Sequence, residues 1–124
     1  MPMIRFAAVI AVSLVAAAPA IAQPATQTIN LASFSYAPSP IHLKAGRPVT
    51  LVFVNRAGGG HDFTAKQFFA SSTITAGAAP GGQIELKGRQ TKSVTLVPRA
   101  GTYSVHCGHF MHSAMGMKTT IVVD

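Results

Sequence analysis

Short apolar segments broken by glycine and proline run along most of this chain, and they restrict its fold more than any other feature. TINLASFSY alternates apolar and polar residues until APSP breaks the pattern. IHLKAGRPVTLVFVN holds a short extended stretch, a turn at Ala45–Gly46, and a β-branched strand from Val49 to Val54. HDFTA resumes the extended pattern after RAGGG, and QIELKG, TKSVTLVP, GTYSVHC and KTTIVVD follow as further strands. KQFFASSTI has room for one or two helical turns, and GAAPGG reads as loop. About seven to eight short strands with so little helix predict an all-β antiparallel Greek-key β-sandwich. There is neither an internal repeat nor a linker-like segment, so one folded domain is expected, spanning residues 23–124.

The residues before that domain have a different character. MPMIRFAAVIAVSLVAAAPAIAQPA carries one charge, Arg5, followed by an apolar run from Phe6 to about Ala18 and the A-x-A site Ala20-Ile21-Ala22. This pattern predicts a secretory signal peptide over residues 1–22, cleaved after Ala22, and hence a periplasmic or otherwise exported protein. The run is shorter than the roughly 20 apolar residues that a spanning helix needs. In an oxidising compartment a single cysteine, Cys107, can form no internal disulfide. Its presence therefore calls for another reason, either a buried thiol, intermolecular pairing or a metal thiolate.

Charge narrows the partners. Ten Lys and Arg residues stand against three acids, Asp62, Glu85 and Asp124. The basic residues are scattered, without a run or interleaved aromatics, which argues against nucleic acid. Steering towards an acidic protein partner or an anionic surface fits better. No glycine-rich phosphate loop follows a strand, and with three acids no carboxylate pair for acid–base work is expected. The chain therefore reads as a non-enzyme without a small-molecule substrate.

The chemistry gathers in CGHFMHSAMGM, where the cysteine stands among two histidines and three methionines just before the last strand. Electron-transfer copper sites take two imidazoles and one thiolate in a plane, with a weak axial thioether. Cys107, His112 and Met117 follow one another as C-x4-H-x4-M, and His61 lies after the RAGGG loop, ready to supply a second imidazole. Other readings of these residues exist. Zinc held by Cys107, His109 and His112 is one, although structural zinc usually takes two or more cysteines. Met115 competes with Met117 for the axial place; position against the final strand, after the flexible Gly116, favours Met117. Met111 and Met115 otherwise read as apolar loop packing. His106 neighbours Cys107 on a strand and should face the other way, His42 should lie at the surface, and Asn55 should bond turn backbone.

On N-x5-H at Asn55 to His61 and on GTYSVHC-x4-H-x4-M running into KTTIVVD, the chain resembles the cupredoxins, the small blue-copper proteins, over nearly the whole region after the leader. The resemblance implies His61, Cys107 and His112 as equatorial ligands, Met117 as the axial one, and a single copper ion that passes one electron at a time. It also implies a redox protein partner, and a monomer is expected. The family commonly has Asn or Ser after the first histidine, where the side chain ties two ligand loops together; here Asp62 stands in that place. His112 is the expected electron exit, with Phe110 and Ala114 around it as a docking patch. The surplus of His109, Met111 and Met115 supports a rival function, a copper-binding or copper-tolerance protein that sequesters or delivers the metal.

Overall fold

The computed structural model describes residues 2–4, 6–16, 23–109 and 111–124. The expected cleavage site after Ala22 lies outside the described residues, as does Phe110. Residues 6–16 form neither helix nor strand and leave Phe6, Val9 and Leu14 exposed. Among the described residues, no helix is long and apolar enough to cross a membrane.

Among the described residues the domain contains ten strands, one short α-helix and a 3-10 turn at Pro80–Gly82: β1 (Ala25–Ala32), β2 (Ser35–Ala37), β3 (Ile41–Leu43), β4 (Val49–Asn55), β5 (His61–Thr64), α1 (Lys66–Ser71), β6 (Thr73–Ala76), β7 (Gln83–Leu86), β8 (Thr91–Val97), β9 (Gly101–His106) and β10 (Lys118–Val123). They form two five-stranded sheets, ordered β2-β1-β4-β8-β6 and β3-β10-β9-β5-β7. The all-β sandwich is as expected, and the larger strand count has a simple cause. β2 overlaps the end of TINLASFSY, which reads as one strand, and β6 begins inside KQFFASSTI, which reads as helical turns; they are only three and four residues long. Not every pairing is antiparallel: β1 runs parallel to β4, and β3 parallel to β10. The chain crosses to the second sheet at β3 before returning to the first at β4, and that crossing leaves β1 and β4 pointing the same way.

Alternation then fills the space between the sheets. β4 turns Val49, Leu51 and Phe53 inward, β8 contributes Val94 and Leu96, and β10 contributes Ile121 and Val123. Each such side chain, fully buried, contributes about 1.5–3 kcal/mol. The long connection after β5 has a structural purpose that its sequence does not announce: α1 buries Phe68 and Phe69, and Phe68 packs edge-on against Tyr103 with ring centroids 5.5 Å apart. β5 differs from the other strands, because all four of its residues are buried.

Two loops press together just before β5. Asn55 donates from Nδ2 to the Gly59 carbonyl at 2.9 Å and to that of Lys87 at 3.0 Å, while its Oδ1 accepts from the Ala57 N–H. It is the backbone-bonding turn residue expected. Gly88 lies so close to the Gly58 carbonyl that a Cβ would collide with it. Gly88→Ala should therefore push the His61 loop away and cost about 1–3 kcal/mol. Gly59→Ala, where a Cβ meets nothing, should change stability by less than about 0.5 kcal/mol. Chemical denaturation of both variants checks the contrast.

Candidate metal centre

β9 ends at His106, so Cys107 is the first residue of the loop that leads to β10, and His61 opens β5 in the adjacent strand. Alternation along β9 exposes His106 and buries Cys107, as expected, and His42 is exposed on β3. Within the loop that joins Cys107 to Met117, residues 111–116 form turns. His112 N–H donates to the His109 carbonyl, Met117 N–H to that of His112, and Cys107 N–H to that of Met117. Both ends of the loop are thereby fastened beside a β9–β10 ladder.

This folding brings three of the four expected side chains to one point. His61 Nδ1 lies 3.1 Å from His112 Nδ1, and Cys107 Sγ lies 3.4 Å from the same His112 nitrogen. One ligand atom from each residue lies within 4.8 Å of the other two. His61 is 4% exposed and Cys107 1%, while His112 is half-buried. His61 is therefore no surface loop histidine. Met117 is completely buried, whereas Met115 and Met111 are 58% and 53% exposed. The two exposed methionines are not packed into the loop as expected; they project at its surface. Ala114 is also exposed, and Phe110, expected beside it, lies outside the described residues.

Asp62 does what the resemblance ascribes to that position. Its carboxylate accepts the Gly108 N–H at 2.8 Å on Oδ1 and 3.0 Å on Oδ2, and Oδ1 also accepts the Thr64 hydroxyl at 2.7 Å. Its backbone N–H points at Cys107 Sγ, 3.4 Å away. From the first sheet, the buried Tyr36 hydroxyl donates to the Asp62 carbonyl at 2.6 Å, and burial holds that phenol protonated.

Burial also sets the charge state of the donors. It pushes the Cys107 thiol up, and the Asp62 and Glu85 carboxylates push the same way, against the lowering effect of backbone N–H groups at Asp62 and His109. Burial pulls the His61 imidazole down, helped by the neighbouring His112 and His109 rings. The metal-free pocket thus favours neutral imidazole, the form that ligates, and a protonated thiol that releases its proton when a cation arrives.

His109 is not part of this cluster of donors, contrary to a Cys107–His109–His112 zinc reading. Its Nε2 lies 2.7 Å from Glu85 Oε1 and 3.8 Å from Asp62 Oδ2. No carboxylate pair was expected, yet β5–β7 pairing sets Asp62 opposite Glu85 and turns both towards one imidazole. Sequence reasoning also passed over Phe34, whose ring meets that of His112 edge-on at 5.4 Å. Nothing in the order of residues signals either neighbour, since both depend on the register between elements.

A two-sheet sandwich with a buried cysteine and two histidines converging where terminal strands meet is a mononuclear soft-metal protein by architecture and donor chemistry. A family model described as a cupredoxin-like domain matches residues 5–123, and the chain belongs to that family. Copper is the cofactor that this family and this thiol–imidazole–thioether set specify, since a lone cysteine is a poor structural zinc site. No curated protein matches the chain in sequence. Among solved structures it is similar to dithionite-reduced auracyanin from the photosynthetic bacterium Roseiflexus castenholzii, at 18% identity and a TM-score of 0.63, covering 83% of this chain and 99% of that one. Auracyanin B gives 23% identity and 0.58, over 85% and 93%. A multicopper oxidase from Campylobacter jejuni described as a metallo-oxidase gives 11% and 0.63, covering 86% of this chain and 31% of the oxidase. At these identities the likeness concerns the fold.

Cys107 is free, so replacing it breaks no crosslink. Cys107→Ser should fold as the parent does, as judged by far-UV circular dichroism, yet lose the strong visible band of a copper thiolate when Cu(II) is added. An intensely coloured Cu(II) complex in that variant would show that another group supplies the charge-transfer ligand.

Proposed function

We propose that this chain is an exported one-electron carrier with a single type 1 copper, held equatorially by His61, Cys107 and His112 and axially by Met117. The observation that carries the reading is the convergence of the three equatorial donors at a buried point. Complete burial of Met117 beside them, against the exposure of Met115, supports the axial choice. Copper, when bound, supplies a reversible Cu(I)/Cu(II) couple. The protein's part is to hold the donors still. His61 sits on a strand, Cys107 is fastened through Gly108 to Asp62, and Met117 bonds backbone to backbone with both Cys107 and His112. A ligand frame fixed in this way needs little rearrangement when the charge changes, which favours fast transfer. His112, the half-buried ligand, is the exit towards a partner.

Export rests on the leader-like residues 1–22, and the mature domain works outside the cytoplasm, in the periplasm. The partner is a redox protein, and acidity suits it. Asp62 is buried and Glu85 is engaged by His109, so Lys and Arg charge dominates the outer surface. The second reading, copper sequestration or delivery, draws on the exposure of Met111 and Met115, two soft thioethers beside the site. Engagement of His109 by Glu85 removes one of the spare donors from it. One copper per chain with intense colour and reversible redox cycling supports the carrier; several Cu(I) ions per chain without colour support delivery.

Two substitutions probe the tuning. Met117→Leu removes a weak axial donor, so it should keep a coloured site and raise the reduction potential, while Met115→Leu should leave the potential nearly unchanged. Results in the reverse order would transfer the axial role to Met115. Asp62→Asn removes a buried negative charge that favours Cu(II) over Cu(I), so the potential should rise by tens of millivolts. Redox titration of the copper-loaded variants measures all three.

A further inference from the structure

Beyond the four expected ligands, two rings flank that of His112, and a carboxylate holds one of them. The His109 ring lies nearly parallel to it, with centroids 5.4 Å apart and planes 17° from each other. Phe34 approaches it edge-on at the same centroid distance, its plane turned by 88°. Glu85 Oε1 is 2.7 Å from His109 Nε2. We infer that His109 and Phe34 are positioning residues that clamp the His112 ring, with Glu85 as the anchor that fixes His109.

The backbone makes room for this clamp at some cost. Phe34 sits in the turn between β1 and β2 with φ at 62°, a left-handed conformation unfavourable for a bulky residue. A smaller or more permissive residue would make that turn more easily, but it would not place a ring against His112. At Gly60 a Cβ would stand 3.1 Å from His109 Cε1, so a glycine there lets the His109 ring lie against the segment that leads into His61. Two of the chain's three acids, Asp62 and Glu85, face His109, although Lys and Arg far outnumber His in the sequence. Among the described residues the ion-pair contacts of this domain are those of His109 alone.

His112 has need of such support. His61 is held within a strand, and Cys107 is tied through Gly108 to Asp62. His112 belongs to a loop of turns and is half-buried, so its side chain would otherwise keep rotamer freedom that metal binding must remove. Stacking on one face and an edge contact from a second direction restrict the ring, and aromatic pairs of both kinds stabilise beyond the area they bury. Glu85 belongs to β7, paired with β5 residue for residue, so the clamp is referenced to the same strands that carry His61. Groups that orient a metal ligand commonly affect metal affinity by about tenfold to a hundredfold. For a copper carrier, which is the reading this consequence rests on, a His112 ring held alike in both oxidation states keeps rearrangement small.

Two measurements test the clamp. The first is nuclear magnetic resonance of the His112 ring in the metal-free protein, which depends on no assumption about copper. The second is Cu(I) affinity by chelator competition. The parent should give a single set of His112 ring signals, with through-space contacts to His109 and Phe34. His109→Ala should broaden or double those signals and lower Cu(I) affinity by about tenfold or more. His109→Phe, which keeps a ring in the stack, should recover much of the order. Glu85→Ala should act like a weaker His109→Ala, while Glu85→Gln, which keeps an acceptor, should stay close to the parent. Far-UV circular dichroism and the amide signals of the core should be unchanged throughout. Parent-like His112 signals and affinity in His109→Ala would overturn the inference, as would a loss in Glu85→Ala that His109→Ala does not share. If the parent binds no copper, the carrier reading fails, and the ring signals of the metal-free protein still decide whether the clamp exists.

Discussion

The structure turns on one buried carboxylate. Asp62 is 1% exposed, in a position where an ionised side chain is costly unless its oxygens are hydrogen-bonded. They are satisfied by the Gly108 N–H and the Thr64 hydroxyl. In accepting those bonds, Asp62 joins the strand that carries His61 to the loop that carries Cys107. Its main chain extends the joint, because its N–H meets the cysteine sulfur and its carbonyl receives Tyr36 from the opposite sheet. Removing this side chain would cost the site the tie that its oxygens make between the His61 strand and the Cys107 loop.

Function follows from how unequal the donors are in their surroundings. His61, Cys107 and Met117 are buried, whereas His112 lies nearer the surface in a segment of turns. Burial keeps solvent from the sulfur and sets its charge state, while the less buried imidazole offers a way out for an electron. The same division gives a part to the two rings beside His112, Phe34 edge-on and His109 nearly parallel. A strand supplies rigidity to one histidine; side chains must supply it to the other.

Much of this was legible in the residues. β4, β8, β9 and β10 were readable as strands because apolar, β-branched segments bounded by glycine and proline are a local signal. Cys107, His112 and Met117 were readable because they share one loop, and His61 because glycines precede it. What could not be read depends on register and crossing. The parallel pairing of β1 with β4 arises from a sheet change at β3, which is three residues long. Glu85 stands near the centre only because it pairs opposite Asp62, and Phe34 only because a tight turn leans over the final loop. α1 was no more than a possible turn or two, since six residues with a doubtful pattern cannot show that Phe68 and Phe69 complete the core.

X-ray absorption spectroscopy at the copper edge, on the oxidised and the reduced protein, addresses the ligand frame most directly. A preset frame predicts one close sulfur and two imidazole nitrogens in both states, with only slight changes in distance between them. A shell that loses the sulfur, or that gains oxygen or nitrogen ligands on changing oxidation state, would contradict it and show that the protein rebuilds its site with each electron.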